Sequence, residues 1–230
     1  MMKKLMIALA IVALASVAQA ELLATWTASG AQNLAGGPFA QTGGSTNYTF
    51  TMVAGGGWVA GGSPAGATFA GAGATAADAA AAYAAGQYLY FTWDTDYTLS
   101  LDSIDARYTR SGTGAQNAQW GTIISSTWSS IGTAITSITT VTPTTSTAPI
   151  TTTFSGVTGL ESGQLGVAFY GGTSSANTAW VRLDSRPSTT PQVALSINGT
   201  MDPVSVPEPA TMGLLGLGAL AMVLRRKMSK

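Results

Sequence analysis

The feature that most constrains this chain is a series of short segments, rich in aromatic and β-branched residues, separated by Gly, Pro, Asn or Ser. Residues 22–27 (LLATWT), 48–53 (YTFTMV) and 88–93 (YLYFTW) have the composition of strands that fit a pleated, half-buried surface. Residues 97–104 (YTLSLDSI) alternate polar and apolar, the period-two pattern of a strand with one face in a core. Residues 164–170, 179–183 and 193–197 continue the series. About ten such runs with turn signals between them predict an all-β chain, a sandwich or jelly roll.

Two stretches depart from the pattern. Residues 55–73 are mostly Gly and Ala around Trp58, Pro64 and Phe69 and predict a long loop. Thr75-Ala76-Ala77-Asp78 then has the form of a capping box, and the alanines up to Ala85, closed by Gly86, predict one short helix. Residues 55–86 thus read as an insert between strands. Residues 139–153 are threonine-rich, with Pro143 and Pro149, and are expected to form an exposed connection within one domain.

Composition narrows the chemistry. The chain has no cysteine and no histidine, so it has no disulfide framework, no thiolate metal site, no cysteine nucleophile and no Ser-His-Asp triad. Six of the ten basic residues lie near the two ends; between Glu21 and Val206 four arginines face nine carboxylates, a net charge of −5. Nucleic-acid binders neutralise phosphates with clustered cations, and that class is set aside.

The ends read as processing signals rather than fold. Lys3 and Lys4 precede an apolar run over 5–17, and Ala18-Gln19-Ala20 supplies the small-x-small pattern of a signal-peptidase site. Residues 1–20 are therefore expected to be a cleaved signal helix, Ala18 and Ala20 to mark the cut, and the mature chain to start at Glu21. The other end, 206–230, has an extended Val206-Pro207-Glu208-Pro209 stretch, an apolar helix expected over 212–224, and Arg225-Arg226-Lys227. At 1.5 Å per residue the apolar run spans roughly 20 Å, short of a hydrocarbon core about 30 Å thick. The basic cluster would hold the cytoplasmic side, leaving residues 21–205 outside. A helix that short suits a temporary anchor.

Pro207, Glu208 and Pro209, the short apolar helix and the basic stop, in that order at the C-terminus, resemble the PEP-CTERM sorting tail. The resemblance implies recognition by exosortase, a membrane protease thought to cut near the Pro-Glu-Pro element and pass its substrate to the cell surface or extracellular polysaccharide. The same tail is also labelled an ice-binding-protein C-terminal domain, which describes the tail and not what precedes it. A second, looser resemblance rests on 87–92, 97–104, 107–114, 164–172 and 180–184. These are similar to a jelly-roll-like β-sandwich ectodomain often found ahead of such tails. The Ala/Gly insert before Gly86 and the interruption at 185–191 depart from it, and it implies a fold without an activity.

Within 21–205 the candidate chemistry is sparse. Asp94 and Asp96 sit between two strands and could ligate Ca²⁺, but no third ligand stands in register, and a hydrogen-bonded Asp turn explains them equally. No metal and no other cofactor is expected. A glycosidase needs two facing carboxylates; Asp102, Asp105 and Asp184 are the acids that could pair in space. Trp26, Trp93 and Trp180 read as core. Trp58, Trp120 and Trp128, beside Gly or Ser/Thr-rich stretches, are candidates for stacking on sugar rings, although such residues more often pin loops or fill cores. Arg107 and Arg110, three apart, do not form a basic patch. Asn47-Tyr48-Thr49 and Asn198-Gly199-Thr200 match the glycosylation pattern and are expected to be bare. The sequence therefore predicts a non-catalytic, exported protein with extracellular polysaccharide as a candidate partner. A glycan-active enzyme and an ice- or crystal-surface binder are the alternatives.

Overall fold

A computed structural model describes residues 20–59, 68–138, 140, 148–176, 178–184 and 192–204. The expected signal helix with Ala18, the tail 206–230 and the interruption 185–191 lie outside the described residues; Ala20 is described and exposed. Among the described residues no helix is long and apolar enough to cross a membrane.

Among the described residues the fold is all-β with one short α-helix, as the alternation predicts. In chain order the strands are β1 (Glu21–Trp26), β2 (Ala31–Asn33), β3 (Phe39–Ala40), β4 (Gly43–Gly44) and β5 (Thr51–Ala54). Then come β6 (Thr68–Ala72), helix α1 (Ala79–Ala84), β7 (Tyr88–Thr92), β8 (Tyr97–Ala106) and β9 (Tyr108–Arg110). The last six are β10 (Asn117–Ile124), β11 (Thr127–Ser130), β12 (Ile150–Thr153), β13 (Leu165–Tyr170), β14 (Trp180–Asp184) and β15 (Leu195–Pro203). They form a five-stranded sheet ordered β12-β8-β15-β1-β4, a six-stranded sheet ordered β11-β10-β13-β7-β5-β3, and a four-stranded sheet ordered β2-β6-β14-β9.

Alternation assigns the faces. Leu99, Leu101, Ile104 and Ala106 of β8 are buried, and the odd step after Leu101 is matched by a register shift against β15 between Asn198 and Gly199. Leu89 and Phe91 of β7, Val167 and Phe169 of β13 and Trp120 of β10 turn inward from the six-stranded sheet. Trp26 of β1 meets Phe91 at 5.3 Å between ring centroids, and Phe91 stacks on Trp120 at 5.9 Å, so the two larger sheets share one core. Each such side chain contributes about 1.5–3 kcal/mol by leaving water. The chain passes from the five- to the four-stranded sheet at Arg107. Its N–H donates to Ala194 O at 2.9 Å and its carbonyl accepts from the Asp184 N–H at 2.9 Å.

The outer face of the five-stranded sheet is polar and cross-linked. The Asp105 carboxylate accepts from Thr151, from Ser196 at 3.4 Å and from Asn198 at 3.3 Å, and the Ser100 hydroxyl donates to Asp202 at 3.2 Å. β15 runs between β8 and β1, paired with β8 from Leu195↔Ala106 to Pro203↔Tyr97. Just past its end, the Val204 N–H donates to Asp96 O at 2.8 Å.

Three expectations need correction. The loop expected over 55–73 contains β6, which pairs with β14 and with β2. Its Gly71 lets the Trp58 ring lie where a Cβ would stand. The connection expected over 139–153 ends in β12, an edge strand on β8. The helix is capped by Asp78 rather than Thr75: Asp78 has extended backbone (φ −147°), and its Oδ1 accepts from the Ala81 N–H at 2.8 Å.

β10 and β11 form a hairpin pairing Ile124 with Thr127, which leaves Ser125 and Ser126 as a two-residue turn with φ of 49° and 59°. Two successive positive φ values suit the right-handed twist of the strands but strain residues with a Cβ. Ser126→Gly is therefore expected to stabilise the fold by about 1 kcal/mol, seen as a higher urea midpoint at unchanged slope. An unchanged or lower midpoint would contradict the assignment of strain.

Candidate functional site

Most of the acids are engaged in structure, while Asp102 is exposed on β8, its carbonyl accepting from the Phe154 N–H at 2.8 Å. Asp94 Oδ1 accepts from the Asp96 N–H at 3.0 Å, and the Tyr97 N–H donates to Asp94 O at 3.2 Å, which is the hydrogen-bonded turn rather than a cation loop. Glu161 accepts from Gln164 at 3.2 Å, and Asp78 caps α1. Asp184 is fully buried on β14 beside Arg182, with Nε and Oδ2 4.0 Å apart. Thr109 joins them: its Oγ1 accepts from Arg182 Nε at 2.6 Å and donates to Asp184 Oδ2 at 3.4 Å. Asp105 sits instead on the polar outer face of the five-stranded sheet. No group of three or more Asp or Glu gathers into a metal site among the described residues.

The arginines act as stitches. Arg107 Nε donates to Val193 O at 3.1 Å, and Arg110 donates to Ile138 O at 2.7 Å and to Gly112 O at 2.8 Å. Each secures a loop to the sheet it leaves.

The tryptophans divide differently from the sequence expectation. Trp26 and Trp93 are core, as expected. Trp58 and Trp120 are core as well, which corrects their reading as candidate sugar contacts. Trp58 is 7% exposed, donates from Nε1 to Tyr88 O at 3.0 Å and meets Phe169 at 5.6 Å. Trp120 is fully buried. A neighbouring glycine in a strand makes room for a ring, so glycine-rich surroundings did not signal exposure.

Trp128 is half-buried on the outer face of the six-stranded sheet. Its ring lies where a Cβ on Gly121 would stand, and its Cζ3 is 3.3 Å from the Cβ position of Gly166 on the next strand but one. The indole therefore lies flat across two glycines, and its Nε1 donates to Ser130 Oγ at 3.2 Å. Beside it, Tyr83 of α1 stacks at 5.8 Å with planes 30° apart. Tyr88 follows at 4.7 Å from Tyr83, and Tyr90 at 5.9 Å from Tyr88, with tilts of 49° and 36°. The Tyr88 ring in turn lies against Gly55, whose Cβ position is 2.8 Å from its Cε1. All four rings are half-buried, and Tyr170 of β13 lies against α1 at the same face. Packing Ala79 and Ala82 on Ala168 is what brings the helix close enough to insert Tyr83.

Tyr83, Tyr88 and Tyr90 were not among the candidates drawn from the sequence, although one signal separates two of them from the core. The strand Tyr88-Leu89-Tyr90-Phe91 alternates, so the side that buries Leu89 and Phe91 leaves the tyrosines on the other. Burial first, then the neighbouring Tyr83 and Tyr90, push the Tyr88 hydroxyl above the ordinary tyrosine value. Burial, with Asp78 adding to it, does the same for Tyr170. The Tyr88 and Tyr170 phenols therefore stay neutral through the physiological range.

The family model of the PEP-CTERM protein-sorting motif matches residues 205–227. The chain carries a PEP-CTERM sorting motif. The matched span contains Pro207, Glu208, Pro209, Arg225, Arg226 and Lys227. PEP-CTERM proteins are processed by exosortase, so the motif supports sorting to the cell surface and implies export with a C-terminal membrane hold before processing. No curated protein and no solved structure matches the chain.

Proposed function

We propose that this PEP-CTERM protein is a non-catalytic component of the cell surface or extracellular matrix, exported through a cleaved signal at Ala18 and Ala20 and released by exosortase near Pro207-Glu208-Pro209. Its residues 21–205 form a jelly-roll-like sandwich that contacts polysaccharide. The observation that carries the glycan reading is the row Trp128, Tyr83, Tyr88 and Tyr90, with Trp128 laid flat over Gly121 and Gly166. The half-buried rings leave part of their surface toward solvent, where it can meet the apolar side of a sugar, with phenol and hydroxyl groups at the margin for its polar edge. The engagement of Asp184 with Arg182 and of Asp105 with its neighbours favours a non-catalytic role over hydrolysis. An ice-binding role finds little support, because threonine on the polar face is interleaved with Asp, Asn and Ser that bond to one another.

Sorting is tested in cells expressing the protein together with an exosortase. Glu208→Ala, or deletion of residues 212–230, is expected to shift the protein from the surface fraction to the membrane or the periplasmic fraction. Circular dichroism and melting temperature of the purified variants should stay unchanged. Undiminished surface delivery of both variants would refute the sorting assignment.

A further inference from the structure

We infer that the aromatic face of the six-stranded sheet selects a neutral polysaccharide chain and discriminates against acidic ones. This rests on the glycan reading above and adds to it the class of polymer.

Three observations converge. First, the row is a continuous aromatic surface of four half-buried rings. It crosses from Trp128 on β11, over β13 at Tyr83, to Tyr88, and then turns along β7 to Tyr90. Successive rings tilt by 30°, 49° and 36°. Half-buried rings at successive centroid spacings of 4.7–5.9 Å form an extended aromatic surface, which suits a chain of sugar units rather than a single small molecule.

Second, the arginines among the described residues lie elsewhere. Arg182 is in the interior beside Asp184, Arg110 is tied to Ile138 and Gly112, and Arg107 is tied to Val193. A polyuronate or sulfated chain laid on the row would bring its negative groups to a surface of phenols and an indole, with no guanidinium among the row's residues to receive them.

Third, a fixed charge at this face is of the wrong sign for an acidic polymer. Asp78 caps α1 at the edge of the face and is felt by Tyr170, while residues 21–206 carry a net −5. Like charge slows encounter and weakens docking, most strongly at low ionic strength. A neutral glycan meets no such barrier, and its C–H faces complement the electron-rich rings.

The test is affinity electrophoresis of the native, surface-extracted protein through gels containing hydroxyethyl cellulose, a neutral β-glucan, or polygalacturonate, its acidic counterpart. Retardation by the glucan and little by polygalacturonate is expected. Trp128→Ala and, on a separate strand, Tyr90→Ala should each weaken glucan retention by at least about tenfold, equivalent to ~1.4 kcal/mol. Trp128→Phe should retain most of it, and melting curves check that each variant is folded. Equal or stronger retention by polygalacturonate would overturn the charge selectivity while leaving glycan contact standing. Glucan retention that survives both alanine variants would overturn the assignment of this face. Retention by neither polymer would remove the glycan reading itself.

Discussion

Asp184→Ala is expected to cost about 3–5 kcal/mol of folding stability, because it strands a buried guanidinium. Arg182 and Asp184 occupy the same face of β14, two residues apart, and are 3% and 0% exposed. Their charges are bridged by Thr109 on β9, the strand paired with β14 through Arg182↔Thr109. Removing one ion leaves the other in a medium that solvates it poorly. Replacing both by apolar side chains removes the cost at its source. The double variant Arg182→Met, Asp184→Leu should therefore be more stable than Asp184→Ala alone. Urea unfolding of the two proteins decides this. A single variant that loses under about 1 kcal/mol would mean that the site is reached by water and the pair is a surface contact in disguise.

Alkali should unfold the protein earlier than its neutral-pH stability suggests. Tyr108 is fully buried, and burial pushes its hydroxyl far above the ordinary value of 10.0, with the Trp120 side chain acting weakly in the opposite sense. Above pH 10 the unfolded chain releases this proton while the folded chain keeps it, so the unfolded state binds fewer protons. Stability is then complete below that pH and falls as pH rises, by up to about 1.4 kcal/mol per unit, or about 3 kcal/mol by pH 12. The raised values of Tyr88 and Tyr170 act in the same direction. Urea midpoints taken between pH 8 and 12 should show this decline, and Tyr108→Phe should flatten it. Equal slopes in the two proteins would show that some other group governs alkaline unfolding.

Much of the β architecture was legible in the sequence, because β7, β8 and β13 carry their burial pattern in their own residues. β6 was hidden because Thr-Phe-Ala-Gly-Ala has little intrinsic strand preference. It becomes a strand through partners far along the chain, β14 above all. The burial of Trp58 and Trp120 depends on such long-range pairing too, which local composition does not carry. The candidate site was half readable. Alternation could have separated Tyr88 and Tyr90 from Leu89 and Phe91. The position of Trp128 over Gly121 depends on the register of a two-residue turn, and that of Tyr83 on a helix docking through alanines. The sorting motif needed no fold to be read, since a protease that recognises an extended segment reads sequence directly.

The placement of β15 has a mechanical consequence. Val204 follows directly on this strand, whose Leu195–Gly199 segment lies between β8 and β1 and whose last four residues pair with β8, so tension applied through the C-terminal segment meets the β8 rungs first and the doubly held segment behind them. A load that reaches Leu195–Gly199 has to shear rungs on both flanks together instead of unzipping them singly from an edge. While the tail is gripped at the membrane, the strand under strain is thus one backed by partners on both sides over its first five residues.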